Sequence, residues 1–390
     1  MASSPPIRSI ALLVTQNCNL ACTYCYGNKG TYGSSGHMNS ETARKAIDWL
    51  IEQSGELRNP GVVFFGGEPL LNFALMKEVV AYARKRGGES GKAFEFSVAT
   101  NASLLSDEII TFLKENEITP VVSFDGCKEA QDSQRPFKGG RGSYDVVAPK
   151  IRKLLETFPG ATARATLTGQ RSPREVTVAL NEIGFRSTQL TVASPSLFDA
   201  EDERKEEENG SRNIAHEMDS ESQELLANIR SRNTDTLRRQ KDNCELVSQL
   251  TALLNKERKY FGCGAGRAYV GVSNSGEVFL CHRFVGIREY RLGTVFDDTL
   301  ERDKYLKSPI KNVEECRSCF ARYNCGGGCY HENVGASGAV NKPSRSWCRV
   351  MRRSVELATY ISGQLTDDDK DYLLRQGIIR PQSCPFDFPE

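Results

Sequence analysis

The sequence lacks the features of a membrane-embedded, exported or nucleic-acid-binding protein. It contains no apolar run of about 18 residues, the length at which a helix can cross a bilayer. Its first residues, MASSPPIRSI, lack the charged-then-apolar layout of a signal peptide. The net charge is only +1, so the chain has no strong basic field to attract nucleic acid. We therefore expect neither a membrane nor a nucleic acid as a partner.

The composition is otherwise ordinary except for cysteine. Hydrophobic residues make up 39% and charged residues 26%, which excludes a disordered chain. A length of 390 residues exceeds what one hydrophobic core supports, so we expect two domains or one domain with a large appendage. The 13 cysteines are abnormal. In a chain without export signals, so many cysteines bind metal more often than they form disulfides.

The first half of the chain alternates between short β-branched runs and amphipathic stretches. We predict strands at 8–14, 62–65, 94–99, 120–124, 162–168 and 189–193, and helices at 41–52, 70–85, 106–116 and 144–157. This alternation predicts an α/β fold with a parallel sheet. Six βα units suit a partial TIM-like barrel, with chemistry at the carboxyl ends of the strands. A doubly wound open sheet is the alternative.

The remaining chain divides by composition. We expect the partial barrel in 1–195, a charged linker with a bridging helix in 196–258, a cysteine-rich auxiliary domain in 259–363 and an irregular tail in 364–390. The run EDERKEEENGSR at 201–212 is typical of a solvated linker, and a peptide-binding role is the alternative. The glycine- and cysteine-rich stretch 263–348 cannot build a large apolar core by itself.

Three cysteines follow the first predicted strand at the spacing C-x3-C-x2-C, at Cys18, Cys22 and Cys25. Three thiolates on one loop can hold three irons of a [4Fe–4S] cluster and leave the fourth iron open to a small molecule. A zinc site would need a fourth nearby ligand, and His37 is poorly placed for it. Three core cysteines are the structural alternative.

With Tyr24 before its last cysteine, this motif resembles the signature of radical S-adenosylmethionine (SAM) enzymes. The second predicted strand ends in Gly66, Gly67, Glu68 and Pro69, which match the GGEP motif of that family. The resemblance implies that this element binds the amino group of SAM. Glycines let the backbone approach a ligand closely, and a glutamate accepts hydrogen bonds from an ammonium group.

Further SAM contacts follow from the same resemblance, which covers roughly residues 7–194. Thr100 and Asn101 end the third strand, and Ser123 and Asp125 lie at the end of the fourth, where relatives contact SAM. Arg135 resembles the arginine that pairs with the SAM carboxylate, and a guanidinium suits that group. For each residue, a capping or loop-forming role is the alternative.

Seven further cysteines follow in the second half of the chain, at Cys263, Cys281, Cys316, Cys319, Cys325, Cys329 and Cys348. Their spacing resembles that of the SPASM domain, which is appended to many radical SAM peptide-modifying enzymes. The resemblance implies two auxiliary [4Fe–4S] clusters, and so three clusters in all. The outer one would be held by Cys316, Cys319, Cys325 and Cys348, and the inner one by Cys263, Cys281 and Cys329. Two zinc knuckles are the alternative, but they need eight ligands, so His282 or His331 would have to join the seven cysteines.

The inner set has three cysteines, and residues 256–262 contain no fourth. We hypothesise an open iron that binds a substrate thiolate, with Cys244 or Cys384 as fourth ligand in the counter-hypothesis. In sulfatase maturases an aspartate after the second SPASM cysteine acts as the base, whereas this chain has His282 there. In this respect the chain resembles the thioether-forming SCIFF maturases. We predict His282 as a proton acceptor, with a hydrogen bond to a cluster sulfur as the alternative.

The resemblance thus predicts an enzyme that modifies a ribosomally made precursor peptide through a 5′-deoxyadenosyl radical, with a thioether as the favoured product. Splicease-type tyramine excision, C–C cross-linking, sulfatase-maturase-like oxidation, a multi-cluster electron carrier and a zinc-stabilised interaction protein are the alternatives. The expected partners are the peptide, a one-electron reductant such as flavodoxin or ferredoxin, and a separate leader-recognition protein, since the first strand leaves no room for a leader-binding segment. Oxygen-sensitive clusters imply a cytoplasmic location.

Overall fold

The computed structural model describes residues 5–199, 205–243, 245–297 and 299–379. Nine strands form one sheet in the order β6-β5-β4-β3-β2-β1-β7-β8-β9. Their bounds are β1 Ser9–Thr15, β2 Gly61–Gly66, β3 Glu95–Thr100, β4 Ile118–Ser123, β5 Thr162–Leu167, β6 Ser187–Val192, β7 Tyr269–Val272, β8 Glu277–Phe279 and β9 Arg291–Thr294.

The first six strands pair in parallel and in chain order, from β1 to β6. A doubly wound sheet would reverse this order at a switch point, which this sheet does not do. The predicted α/β class with a partial barrel is therefore confirmed, and the doubly wound alternative is excluded. All six predicted strands are present, with ends shifted by at most two residues.

Helices connect the strands and pack outside the sheet. Their bounds are α1 Ser40–Gln53, α2 Phe73–Ser90, α3 Asp107–Glu115, α4 Lys128–Gln134, α5 Tyr144–Thr157, α6 Pro173–Ile183, α7 Lys205–Arg230, α8 Thr234–Asn243, α9 Glu245–Leu254, α10 Pro309–Asn312, α11 Glu314–Arg317, α12 Arg322–Cys325, α13 Tyr330–Ser337, α14 Arg345–Gln364 and α15 Asp367–Arg375. Polar caps start several of them: Asn39 caps α1, Ser106 caps α3, and Ser172 forms a capping box with Glu175 at α6.

The cysteine-rich part is joined to the barrel through the same sheet. Strand β7 pairs in parallel with β1, with Ile10 opposite Val270, and β8 and β9 follow in antiparallel pairing. Its apolar residues, Leu280 and Phe284 among them, belong to the hydrophobic core of the barrel. As its composition predicts, the stretch builds no large core of its own among the described residues. Most of its buried apolar residues belong to the core of the barrel, and a small cluster with Ile310 and Val313 packs separately.

A second hydrophobic core lies between helices after β6. Met218 and Ile229 of α7, Leu250 of α9, Ile361 of α14 and Leu373 of α15 are buried in it. The region expected to be a charged linker with one bridging helix thus contains three helices. The expected C-terminal tail begins with a helix, α15, before the end of the described residues. No helix in the described ranges is both long and apolar enough to cross a membrane.

Candidate functional site

A cavity opens at the carboxyl ends of the parallel strands, where barrel enzymes carry their sites. It encloses about 1040 Å³ between its atoms, including the solvent at its mouth. The residues that line it include three cysteines of one loop together with polar residues from the ends of β2, β3 and β4: Cys18, Cys22, Cys25, Tyr24, Gly66, Gly67, Thr100, Asn101, Ser123 and Arg135. Of the SAM-contacting residues predicted from sequence, Glu68, Pro69 and Asp125 do not line it.

The cysteine loop is held on both sides. On one side, the backbone N–H groups of Ala21 and Thr23 donate to the carbonyl groups of Pro136 and Gln134. On the other, the Asn101 side chain lies 3.8 Å from the Cys18 sulfur. The loop is therefore positioned by the segments that follow β3 and β4.

The donor set fits an iron–sulfur cluster. Burial raises the pKa of the Cys18 and Cys22 thiols to about 12, so without a cation both thiols stay protonated. Iron binding would supply the positive charge that stabilises the thiolates. Among the described residues, no group of three or more His, Cys, Asp or Glu side chains converges on a single metal ion. In a four-iron cluster each cysteine binds its own iron, so such convergence is not required.

Gly66 and Gly67 are needed because β1 and β2 end very close together. A Cβ on Gly66 would lie 1.9 Å from the Thr15 carbonyl oxygen, and one on Gly67 would lie 2.2 Å from that of Asn17. Gly66 also has a φ of 129°, which side chains disfavour. The close approach of the chain beside the cysteine loop is thus one reason for these glycines, and the ligand contact predicted from sequence stays a prediction.

Glu68 is fully buried and connects the ends of β2 and β3. Its Oε1 accepts from the Thr100 hydroxyl at 2.7 Å and from the Leu70 N–H at 3.2 Å, and its Oε2 accepts from the Asn101 N–H at 2.7 Å. Pro69 begins a short 3-10 helix directly after it. Burial raises the pKa of Glu68 to about 7. The carboxyl group thus fixes the two residues, Thr100 and Asn101, that line the cavity.

Arg135, Asp125 and Tyr24 form a buried cluster at the far wall. The Arg135 Nε donates to Asp125 Oδ2 at 2.9 Å, the same oxygen accepts from the Tyr24 hydroxyl, and the guanidinium lies 5.2 Å from the centre of the Tyr24 ring. Asp125 Oδ1 accepts from the Thr166 N–H. Asp125 therefore orients the guanidinium that faces the cavity. The sequence analysis proposed these residues one by one and missed their mutual contacts.

The four cysteines of the outer set surround a second, smaller cavity of about 380 Å³. Cys316, Cys319, Cys325 and Cys348 all line it. The Trp347 indole N–H points at the Cys325 sulfur at 3.4 Å. Burial raises the pKa of Cys316 to about 12 and also raises that of Cys348, so these two thiols need a cation to ionise.

The inner set is also brought together. Cys263 and Cys329 both act electrostatically on Cys281, whose pKa burial raises well above its usual range, and burial raises the pKa of Cys329 to about 11. The two cysteines of the counter-hypothesis, Cys244 and Cys384, lie outside the described residues.

His282 does not line the SAM-side cavity. Its Nδ1 lies 2.8 Å from the Tyr269 hydroxyl, and its ring centre lies 4.6 Å from that of Phe65. Burial and the nearby cation Arg283 hold the pKa of His282 well below its usual value. The imidazole is therefore neutral, but the same lowered pKa makes it a weak proton acceptor, and its role as a base stays a prediction.

Arg283, which lies between the cavity and the inner cysteines, was not predicted from sequence. Arg283 lines the cavity, lies 5.0 Å from the centre of the Tyr26 ring, and donates to the Ser194 hydroxyl at 2.9 Å. It also pairs with Glu332 at 3.4 Å. The only signal in the sequence was an arginine two residues after a cysteine of the inner set.

The comparisons with known proteins agree with this arrangement. Residues 12–183 match the family model described as the Radical SAM superfamily. This part of the chain therefore resembles radical SAM domains, and that family implies SAM and a [4Fe–4S] cluster as cofactors.

Two relatives and two solved structures extend the comparison. A protein of Methanocaldococcus jannaschii described as uncharacterized is 36% identical over 35% of this chain, and the match spans 45% of that protein. The cysteine-type anaerobic sulfatase-maturating enzyme of Clostridium perfringens strain 13 is 24% identical over 83% of this chain and 89% of its own length. The structure of native anSMEcpe with bound AdoMet and Cp18Cys peptide has a TM-score of 0.71 at 19% identity, covering 93% of this chain and all of that one. Streptococcus suis SuiB bound to precursor peptide SuiA has a TM-score of 0.56 at 17% identity, covering 88% and 76%. At these identities the structural similarity concerns the fold.

Proposed function

We propose that the protein is a radical SAM enzyme that modifies a ribosomally made precursor peptide. The observation that carries this proposal is the single cavity in which the three loop cysteines face Arg135 and the ends of β2 to β4. When bound, the cluster and SAM supply the 5′-deoxyadenosyl radical that abstracts a hydrogen atom from the substrate. Two structural neighbours were solved with a peptide bound, which supports a peptide as the substrate class.

The chain's own residues would bind and orient SAM. Arg135, held by Asp125, can pair with the SAM carboxylate, and Thr100 and Asn101, held by Glu68, present polar groups at the end of β3. Tyr26 and Phe65 line the cavity and lie against His282 of the auxiliary region, so they would limit the access of water from that side.

The favoured product is a thioether. In this version Cys263, Cys281 and Cys329 hold the inner auxiliary cluster with an open iron, and a substrate cysteine binds there while its partner carbon lies in the SAM cavity. Arg283 supports this version because it contacts both sides: it lines the cavity and acts electrostatically on Cys281 and Cys329. His282 would accept the proton released on the inner side once the negative charge of a bound cluster offsets the burial and the Arg283 charge that lower its pKa.

A further cluster and two protein partners would complete the enzyme. The outer cysteine set would hold a second auxiliary cluster, and a carrier such as flavodoxin or ferredoxin would supply single electrons. A separate small protein would recognise the leader of the precursor peptide.

The test is the mass of candidate precursor peptides co-expressed with the protein under anaerobic conditions. The candidates are the short reading frames beside its gene that encode cysteine or tyrosine. We expect loss of two hydrogens per site together with loss of one alkylatable thiol. A variant with Cys18, Cys22 and Cys25 all changed to alanine is the control, and it should leave the peptide unmodified.

Other outcomes separate the alternatives. Loss of a tyramine-sized fragment would favour splicease chemistry, and a link without loss of a thiol would favour a C–C bond. Loss of sulfur from a cysteine would favour the sulfatase-maturase reaction, which the similarity to the Clostridium perfringens enzyme keeps as a second candidate. If the wild-type protein cleaves SAM but modifies none of the candidate peptides, the peptide proposal is contradicted.

A further inference from the structure

Strand β6 is the edge of the described sheet, and no other strand in the described ranges pairs with its outer side. The Ala193 N–H donates to the Leu167 carbonyl group on β5. Because successive residues of a strand direct their backbone groups to opposite sides, Leu190 and Val192 direct theirs away from β5. These groups are a ready template for one more strand.

A groove runs along this edge. It encloses about 1480 Å³ between β6 and the helices α7, α9 and α14, and more of its lining is apolar than polar. Met218, Glu245 and Trp347 form part of the opposite walls.

The groove leads to the SAM-side cavity. Thr191, Val192 and Ser194 line both spaces. At their junction, the Ser194 hydroxyl accepts from Arg283 on the cavity side and lies 3.5 Å from Glu332 on the groove side. A chain lying along β6 would therefore reach the loop cysteines at the end of the strand.

The charged residues of the groove are mostly acidic. Glu221, Glu245 and Glu332 line it, against a single lysine, Lys241. Burial and the neighbouring carboxylates raise the pKa of Glu221, so a cation placed beside it would be favoured. Glu332 is already paired with Arg283, which leaves Glu221 and Glu245 to face a ligand.

We propose that the precursor peptide enters along this groove, paired as an added strand with the outer edge of β6, with a Lys or Arg side chain near Glu221 and Glu245. The inference rests on the proposed function for the identity of the peptide as substrate. An added strand would occupy the position beside β6 where a complete barrel has its next strand. Since Leu190 and Val192 supply the pairing groups, about five residues of the peptide would be held by backbone hydrogen bonds.

The experiment measures the binding of a peptide pool to the reconstituted holoenzyme with SAM. The probe is a pool of synthetic peptides of about twelve residues, each with one cysteine and otherwise randomised, and the retained peptides are identified by mass spectrometry. Wild-type protein should retain peptides enriched in Lys and Arg. Leu190→Pro removes the outward N–H while sparing the ladder to β5, and it should weaken retention about tenfold.

Two matched controls isolate the effects of pairing and charge. Leu190→Ala also loses the leucine side chain but keeps the N–H, so it should retain clearly more peptide than Leu190→Pro. Glu221→Lys should abolish the enrichment in basic residues, whereas Glu182→Lys, on the exposed side of α6 and outside the groove lining, should keep it. Iron and sulfide contents, measured on each variant, report whether it folds. If Leu190→Pro fails to fold, hydrogen exchange on the wild type decides: bound peptide should slow exchange in 187–193.

Equal retention by Leu190→Pro and Leu190→Ala, absence of basic enrichment, or unchanged exchange in 187–193 would overturn the inference. So would a pool from which nothing is retained. These outcomes are distinct from failure of the proposed function. If the co-expressed precursor is modified by Leu190→Pro as it is by the wild type, the function stands and the entry route is wrong. If peptides bind along β6 but no precursor is modified, the route stands and the function is wrong.

Discussion

At the scale of single residues, the Thr100 hydroxyl holds the end of β3 in place. It donates to Glu68 Oε1 at 2.7 Å and accepts from the Ala102 N–H at 3.0 Å. Ala102 has a φ of 63°, an uncommon conformation for a residue with a side chain. One hydroxyl thus satisfies a buried carboxylate and stabilises a strained turn beside the cavity.

We predict that Thr100→Val weakens SAM binding about tenfold, because it leaves the buried Glu68 oxygen without one donor and frees the turn at Ala102. The measurement is the dissociation constant of SAM by equilibrium dialysis on anaerobically reconstituted protein. Thr100→Ser keeps the hydroxyl and should bind SAM as the wild type does. Equal weakening in both variants would show that the threonine methyl group, and not the hydroxyl, matters.

The residues of the site could be predicted from sequence as members of a set, but not as partners of one another. Cysteine spacing and the GGEP motif follow from local sequence, and the cavity is lined by the three cysteines and by Gly66 and Gly67 of that motif. The pairing of Arg135 with Asp125, and the capture of Glu68 by Thr100 and Asn101, depend on how neighbouring strand ends meet. No spacing along the chain encodes those distances. Arg283 was missed for the same reason.

At the scale of elements, the close approach of the β1 and β2 ends sets the position of the cysteine loop. Gly67→Ala would place a Cβ 2.2 Å from the Asn17 carbonyl oxygen, and backbone must move to relieve that contact. We predict that this variant loses most of the iron bound at Cys18, Cys22 and Cys25. The measurement is iron and sulfide content with the rate of SAM cleavage by dithionite-reduced protein.

Gly88→Ala is the matched control for this prediction. Gly88 lies in α2, and a Cβ added there meets nothing within 4 Å. Alanine is the better helix former by about 1 kcal/mol, so this variant should keep its iron and be slightly more stable. Wild-type iron content in Gly67→Ala would show that the strand ends can separate without disturbing the loop.

Strands could be predicted better than the architecture around them. β1 to β6 are short apolar runs bounded by turn residues, and α5 spans 144–157 as expected. β7 to β9 were missed because strands of three or four residues among glycines and cysteines carry no detectable period. The charged composition of 201–212 concealed the apolar face of α7, where Leu225 and Ile229 are buried further along the helix.

At the scale of the whole molecule, the barrel and the cysteine-rich part share one sheet and one core. Val270 of β7 is fully buried opposite Ile10 of β1, the strand whose end carries the cysteine loop. Arg302 adds a second link, since its guanidinium donates to the carbonyl groups of Pro5 and Arg267. Loss of packing in the cysteine-rich part should therefore be transmitted to β1.

We predict that Val270→Ala destabilises the protein by about 1–3 kcal/mol through the cavity it leaves, and that it speeds hydrogen exchange in β1 as well as in β7. Val178→Ala is the matched control, because Val178 is 49% exposed on α6 and its loss should change stability by less than about 0.5 kcal/mol. Exchange that quickens in β7 but not in β1 would mean that the two parts open separately despite their shared sheet. Exchange that quickens in both would mean that the auxiliary cysteines and the SAM-side cysteines are positioned by one cooperative unit, so that substitutions on either side alter the geometry of the other.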